Sequence, residues 1–155
     1  VKVGPRGSYS EPIVQNNQIF IMTPNGYIVV YNDKGQFLWE LSILPEGIGA
    51  KNNIYGGLAI YKDKLAITSS LGELLLISVP KRRVVWRYDF KRPFRSAPIF
   101  HKGYIFGVTG DDIAISGGGG GREAGVKVAS VSDATIKSFN TLLLQNKGSS
   151  DLSYK

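Results

Sequence analysis

Two adjacent carboxylates, Asp111-Asp112, a lone histidine, His101, and five consecutive glycines, Gly117 to Gly121, are the groups in this 155-residue sequence whose types suggest chemistry. Paired carboxylates hold calcium when further oxygens converge on them. Asp111-Asp112 stands where comparable segments of the chain carry turn residues, and Asp suits a turn because it tolerates a left-handed backbone. His101 lies in the hairpin-like stretch "FHKGY" with no second histidine and no cysteine in the chain, so neither a zinc set nor a catalytic triad assembles around it. The absence of cysteine also excludes disulfides and thiolate nucleophiles.

A glycine run after a short apolar strand is where a phosphate could be cradled. The nucleoside-triphosphate loop needs GxxxxGK[ST] at the start of a helix. Counted from Gly117, position 122 is arginine and no GK[ST] follows. A looser GxGxxA runs through Gly119, Gly121 and Ala124. The following "GVKVASV" reads as strand, whereas that fingerprint must open a helix packed on a parallel sheet. The glycines are therefore expected to be a flexible junction over 117–125.

The net charge of +7 is concentrated in "KRRVVWRYDFKRPFR", where Lys81, Arg82, Arg83, Arg87, Lys91, Arg92 and Arg95 face a single acid, Asp89. Such a segment can meet nucleic acid, anionic lipid or an acidic protein surface, or consist of solvated strand ends. Aromatic residues accompany it (Trp86, Tyr88, Phe90, Phe94), but alternation along a strand would turn several inward, away from any base they could stack on. No nucleic-acid partner is expected. No stretch approaches the roughly 18–20 apolar residues of a membrane span, and the first residues, "VKVGPRGSYSEP", contain no apolar signal-peptide core.

The elements that must position these groups repeat. "EPIVQNNQIFIMTPNGYIVVYNDKGQFLWEL", "GGLAIYKDKLAITSSLGELLLISVPKRRVVWRYDF" and "SAPIFHKGYIFGVTGDDIAIS" share one order: apolar pair, polar turn, apolar run, turn with Gly26, Gly72 or Gly110, apolar run. The third run is Tyr27–Tyr31, Glu73–Ile77 or Ile113–Ile115. The first two units add a fourth strand ending in Trp39 or Trp86, each expected to pack between units. Short strands rich in Val, Ile, Tyr and Phe between Gly/Asn/Asp turns indicate antiparallel sheet. Four short strands per unit at a period of roughly 40–46 residues predict an all-β fold of four-stranded β-propeller blades, about three of them, over 1–116 (about 9–40, 54–90 and 96–116 onward). One blade cannot bury both faces, so blades stack side by side. In the tail, 126–155, Ile136, Phe139 and Leu143 fit one face of a helix, while "ATIKSF" and "NTLLLQ" fit two strands; both readings stand, as does part of a further blade.

The small-Ala-Pro opening, apolar pair, glycine turn and apolar-Trp ending resemble the blades of quinoprotein-like (PQQ-like) propellers. Within them, "YGGLAIYKDKLAITSSLGELLLISVPKRRVVWRYDFKRPFRSAPIFHKGYIFGVTGDD" is similar to the BamB family of outer-membrane protein assembly factors, with the resemblance running over about 9–116. It implies a non-enzymatic scaffold lipoprotein at the periplasmic face of the outer membrane, binding the BamA-like barrel insertase through inter-blade loops, without a cofactor. The matching partner-binding positions are Phe94 and Arg95, just before Ser96-Ala97-Pro98, with Arg92 in the same loop. The lipid anchor the family uses is not present in these residues. Family members have eight blades; three do not close a ring, so the chain is expected to be part of a larger propeller or one partner of an assembly.

Two other resemblances offer alternatives. PQQ-dependent dehydrogenases share the propeller but carry a vicinal disulfide, a calcium held by acidic and amide side chains, and an aspartate base. Cysteine is absent here, and no unit offers a convergent Asp/Glu/Asn set. The stretch "GGGGREAGVKV" resembles the glycine-rich loop of Sec12-type exchange-factor propellers, with Val128 in place of that loop's asparagine.

Overall fold

The computed structural model describes residues 10–49, 54–110, 125–131 and 136–140. Asp111-Asp112, Ile113–Ile115 and the glycine run Gly117 to Gly121 lie outside the described residues. The described chain is all-β, twelve strands in three four-stranded antiparallel sheets. The first sheet holds β1 (Ile13–Gln15), β2 (Gln18–Met22), β3 (Tyr27–Asn32) and β4 (Phe37–Ser42) in chain order. The second holds β5 (Gly56–Tyr61), β6 (Lys64–Ser69), β7 (Glu73–Ser78) and β8 (Arg83–Asp89). The third holds β9 (Ile99–His101), β10 (Tyr104–Thr109), β11 (Gly125–Ser130) and β12 (Ile136–Asn140). Each sheet is one propeller-type blade.

The turns explain why the strands reverse where they do. Asn16 and Asn17 both have positive φ, 52° and 60°, the geometry that matches a two-residue hairpin to the twist of its strands. Gly26 (φ 92°) and Gly72 (φ 94°) make the corresponding turn between the second and third strands of the first two blades, in a backbone region that side chains disfavour.

The first strand of each blade lies nearest its neighbours. Strand β5 packs against β1 on one side and β9 on the other, so the blades stack around a common inner edge. The core lies in the two seams. Alternation along β6 and β7 sends Leu65, Ile67, Leu75 and Ile77 toward the first blade, where Phe20, Met22, Val30 and Trp39 meet them. Ala66, Leu74 and Leu76 face the third blade and meet Phe94, Ile105 and Ala129. Every residue of β7 is buried, which accounts for its unbroken apolar run. Each buried Leu or Ile there contributes roughly 1.5–3 kcal/mol.

Both complete tryptophan strands carry a bulge at the same place. Val30 pairs with Trp39 and Tyr31 with Phe37, leaving Leu38 unmatched; Leu76 pairs with Trp86 and Ile77 with Val84, leaving Val85 unmatched. The extra residue is exposed in each case, while Trp39 turns into the first seam and Trp86 packs against the second. The tryptophans thus take the inter-blade position expected of them.

The third blade differs from its sequence reading. Its third strand, expected at Ile113–Ile115, is β11: Ile105 pairs with Ala129 and Val108 with Val126. The chain between Thr109 and Gly125, glycine run included, therefore connects the blade's second and third strands. In the tail, Ile136–Asn140 forms β12, in which Ile136 pairs with Ala129 and Phe139 with Val126; the rest of the helix and strand readings lies outside the described residues.

Candidate functional site: the inter-blade loop and its pocket

The connection from β8 to β9, "FKRPFRSAP", carries all three residues expected to face a partner, Arg92, Phe94 and Arg95. It is held at many points along its length. Phe90 donates its N–H to the Gly72 carbonyl at 2.8 Å, and Lys91 donates its own to the Asp89 carboxylate at 2.7 Å. The Phe94 N–H reaches the Ser69 carbonyl at 3.1 Å, and the Pro93 carbonyl accepts from Gly110 at 2.8 Å. The Thr68 hydroxyl donates to the Ser96 carbonyl at 2.5 Å. Residues of both flanking blades thus fix the backbone, which limits the ordering entropy a partner would have to overcome.

Phe94 is fully buried, at 0% exposure, and corrects the expectation that it is an exposed anchor. Its ring sits edge-on to Phe90 with centroids 5.8 Å apart, inside the seam between the second and third blades. Gly107 makes the room: a methyl group there would lie 2.8 Å from the Phe94 ring. Phe94 therefore holds the loop, and the outward-facing chemistry falls to the cations. Arg95 is exposed, its stem lying across Gly110, while Arg92 is half-buried.

Lys127, on β11, joins this basic group. Its ammonium stands 5.2 Å from the centre of the Phe90 ring. Burial, and then the nearby Arg92 charge, push its pKa below the ordinary lysine value. Two of the other three aromatics of the basic segment, Trp86 and Phe90, also pack against the second seam.

Beside the loop, at the start of the innermost strands, is a pocket of about 350 Å³ lined by Glu11, Ile13, Gly56, Gly57, Leu58, Arg95, Ser96 and Ala97. Residues leading into β1, β5 and β9 all contribute to it, so it belongs to the face where the blades are joined. One carboxylate and one guanidinium line it, with backbone and small side chains making up much of the rest. Glu11 and Lys127 escaped the sequence reading because each lies far along the chain from the loop, with no motif to link them.

The described residues contain no group of three or more His, Cys, Asp or Glu side chains placed to hold a metal ion. His101 is exposed in the β9–β10 turn region, with its ring 6.5 Å from Phe106.

One ion pair lies within the second blade, and its arginine also reaches the chain that follows the first. Arg87, on β8, lies 3.3 Å from the nearly buried Glu73 on β7 and also donates to the Ile43 carbonyl at 3.4 Å. Burial raises the Glu73 pKa above its ordinary 4.5; Arg87 opposes that shift and Asp89 adds to it. A raised folded-state pKa gives stability that is complete below the unfolded value and is lost as pH rises through the folded one. Arg87→Ala would leave the carboxylate buried without its guanidinium and raise the pKa further. Because Arg87 is partly solvated, the expected cost at neutral pH is about 2 kcal/mol, between exposed and buried pairs. Urea unfolding of the variant should show that deficit near pH 7 and a smaller one as pH falls through the raised Glu73 value, where the carboxyl binds a proton.

No family model matches the chain, and no curated protein matches it. Solved structures share its fold. Quinohemoprotein alcohol dehydrogenase ADHIIG from Pseudomonas putida HK5 superposes with a TM-score of 0.67 at 15% identity over 87% of this chain. BamB from Moraxella catarrhalis gives a TM-score of 0.60 at 10% identity over 83% of it. The computationally designed Ika8 protein gives 0.62 at 12% identity over 84%. The chain spans only 21% of the dehydrogenase and 35% of BamB. At these identities the likeness shows the propeller fold alone, one that an alcohol dehydrogenase and BamB share.

Proposed function

We propose that this chain is a non-catalytic docking scaffold of the BamB kind, binding a protein partner, a barrel insertase, through the loop between its second and third blades. The observation that carries this reading is the loop's construction: Phe94 is locked into the seam, the backbone is tied to both blades, and Arg95 is held outward beside half-buried Arg92. A preorganised arginine presented at a groove is the kind of residue that dominates protein interfaces. Its place would be the periplasmic face of the outer membrane.

A quinoprotein-type catalytic role is the second reading, supported by the dehydrogenase fold likeness. The pocket's donors do not fit that chemistry. Calcium takes about six to eight oxygen ligands, and Glu11 is the one carboxylate lining the pocket. No oxidative step can be written through these residues.

Co-purification with the insertase's periplasmic domains tests the docking reading. Arg92→Glu with Arg95→Glu should weaken binding at least about tenfold while circular dichroism stays that of the wild type. Equal retention of both proteins would refute the site.

A further inference from the structure

Each blade is a four-stranded meander, so its first and third turns lie at one end of the strands and its second turn at the other. The pocket marks the end of the second turns, since residues leading into β1, β5 and β9 line it. The other hairpin tips gather at the opposite end. There Tyr61 of β5 meets Phe100 of β9 with ring centres 5.9 Å apart, and the Val79 N–H donates to the Asp63 carbonyl at 2.9 Å.

The basic segment, continuous in sequence, is divided between these two ends. Lys91, Arg92 and Arg95 belong to the inter-blade loop, whereas Lys81, Arg82 and Arg83 stand at the β7–β8 tip. Lys62 at the β5–β6 tip and Lys102 at the β9–β10 tip join the second group, and all five of these cations are exposed. The acids among the described tip residues are Asp33 and Asp63. Each has a lysine next to it in the chain, and Asp63 pairs with its own, Lys64, at 2.9 Å.

Two further observations distinguish this end from ordinary solvated turns. Lys62, Arg82 and Lys102 all have positive φ, 53°, 51° and 48°. Glycine or asparagine suits such a position, as at Asn16-Asn17, so these cations add charge where the turn itself favours neither lysine nor arginine. Exposed rings also flank the tips. Phe37, Tyr61 and Tyr104 are 57%, 52% and 44% exposed, and the Lys62 ammonium lies 5.3 Å from the Tyr61 ring centre.

We propose that this hairpin-tip end binds the surface of an anionic lipid bilayer. Lys62, Lys81, Arg82, Arg83 and Lys102 meet the headgroup phosphates, and the rings of Tyr61 and Tyr104 enter the headgroup layer. Tyrosine beside long-stemmed cations is the composition a membrane interface selects. Ring and stems accept apolar surroundings while the phenol and the charges stay wet. A bilayer surface also demands no fixed register, which suits cations spread over separate tips. The inter-blade loop lies at the far end of the strands, so this surface does not rest on the partner proposed for that loop.

The test is flotation of the chain with vesicles of phosphatidylcholine containing about a third phosphatidylglycerol, against vesicles of phosphatidylcholine alone. Binding is expected to the anionic vesicles only, and should weaken as salt is added. Each basic residue near an anionic surface strengthens binding about fivefold. Lys62→Gln should therefore lower the partition coefficient about fivefold, and Lys62→Gln, Arg82→Gln and Lys102→Gln together about a hundredfold, with circular dichroism unchanged. Lys91→Gln removes the same charge at the opposite end and should leave the partition coefficient at the wild-type value. Absence of binding to the anionic vesicles, or a loss from Lys91→Gln equal to that from Lys62→Gln, overturns the proposal. A chain that binds a single-stranded oligonucleotide in preference to the vesicles overturns it too, and assigns the tips to nucleic acid.

Discussion

Replacing Phe94 by alanine is expected to lower the unfolding free energy by about 3–5 kcal/mol, the range for deleting a fully buried aromatic ring. A domain of this size commands about 5–15 kcal/mol in all, so the variant should stand close to the limit of folding. The ring is fully buried beside Phe90, with Gly107 shaped around it, so the vacated space has few neighbours able to fill it. Loss of the ring also frees the loop from the seam while leaving its backbone bonds to Ser69 and Gly110 in place. If the proposed docking through Arg95 holds, partner binding should then weaken even where the variant is mostly folded. Urea denaturation reads the first effect and affinity at a temperature of full folding reads the second. Phe94→Leu separates them: it refills much of the volume, and should cost less in both. A Phe94→Ala midpoint equal to that of the wild type would show that the ring does not hold the seam.

The residues that made the fold legible are those whose burial follows from alternation. In β2 and β6 the two faces are written out in Phe20 and Met22, or in Leu65 and Ile67, and the turns are marked by Asn16-Asn17, Gly26 and Gly72. The tryptophans mark the ends of blades because the bulges before Trp39 and Trp86 are local events with a local sequence, "FLW" and "VVW". The third blade was harder to read for a physical reason. Strand pairing has no fixed loop length, and "DDIAIS" offers an apolar run at the distance where a strand should begin. The strand that pairs with β10 begins at Gly125. Pairing with "GVKVAS" puts Val128 opposite Phe106 and Ala129 opposite Ile105, a match visible only across the sheet.

The site was legible in one respect and not in another. Repeat arithmetic located the connection between blades that precedes Ser96-Ala97-Pro98, and the family resemblance alone implied that this connection meets a partner. The direction in which Phe94 points did not. "KRPFRS" has no period, and an apolar residue between two arginines looks like an exposed anchor. Its burial depends on Gly107, a residue of another strand whose missing side chain is a contact only in three dimensions. Glu11 and Lys127 reach the loop's surroundings by the same non-local route.

That dependence on absent side chains is sharpest at Gly57, and Gly57→Ala is expected to be as damaging as many large core deletions. A methyl group there would lie 2.3 Å from the Ala97 Cα, 2.5 Å from its Cβ and 2.6 Å from its backbone nitrogen. The obstruction is main chain, so no rotamer change relieves it; either β5 or the Ser96-Ala97 backbone must move. Moving β5 disturbs the strand that packs between β1 and β9. Moving Ser96-Ala97 stretches the Thr68 hydroxyl bond to the Ser96 carbonyl and shifts Arg95 at the mouth of the pocket. Overpacking of this kind costs about 1–3 kcal/mol, and more where backbone is the obstacle; about 3 kcal/mol is the expected loss. Gly49→Ala is the control, because nothing lies within 4 Å of the added methyl and its midpoint should match the wild type. The pair of variants also distinguishes two ideas of how the loop works. If Arg95 acts only as a charge, residual folded Gly57→Ala binds the partner normally. If the loop must be held in one geometry, its affinity falls along with its stability, and the expected result is the second.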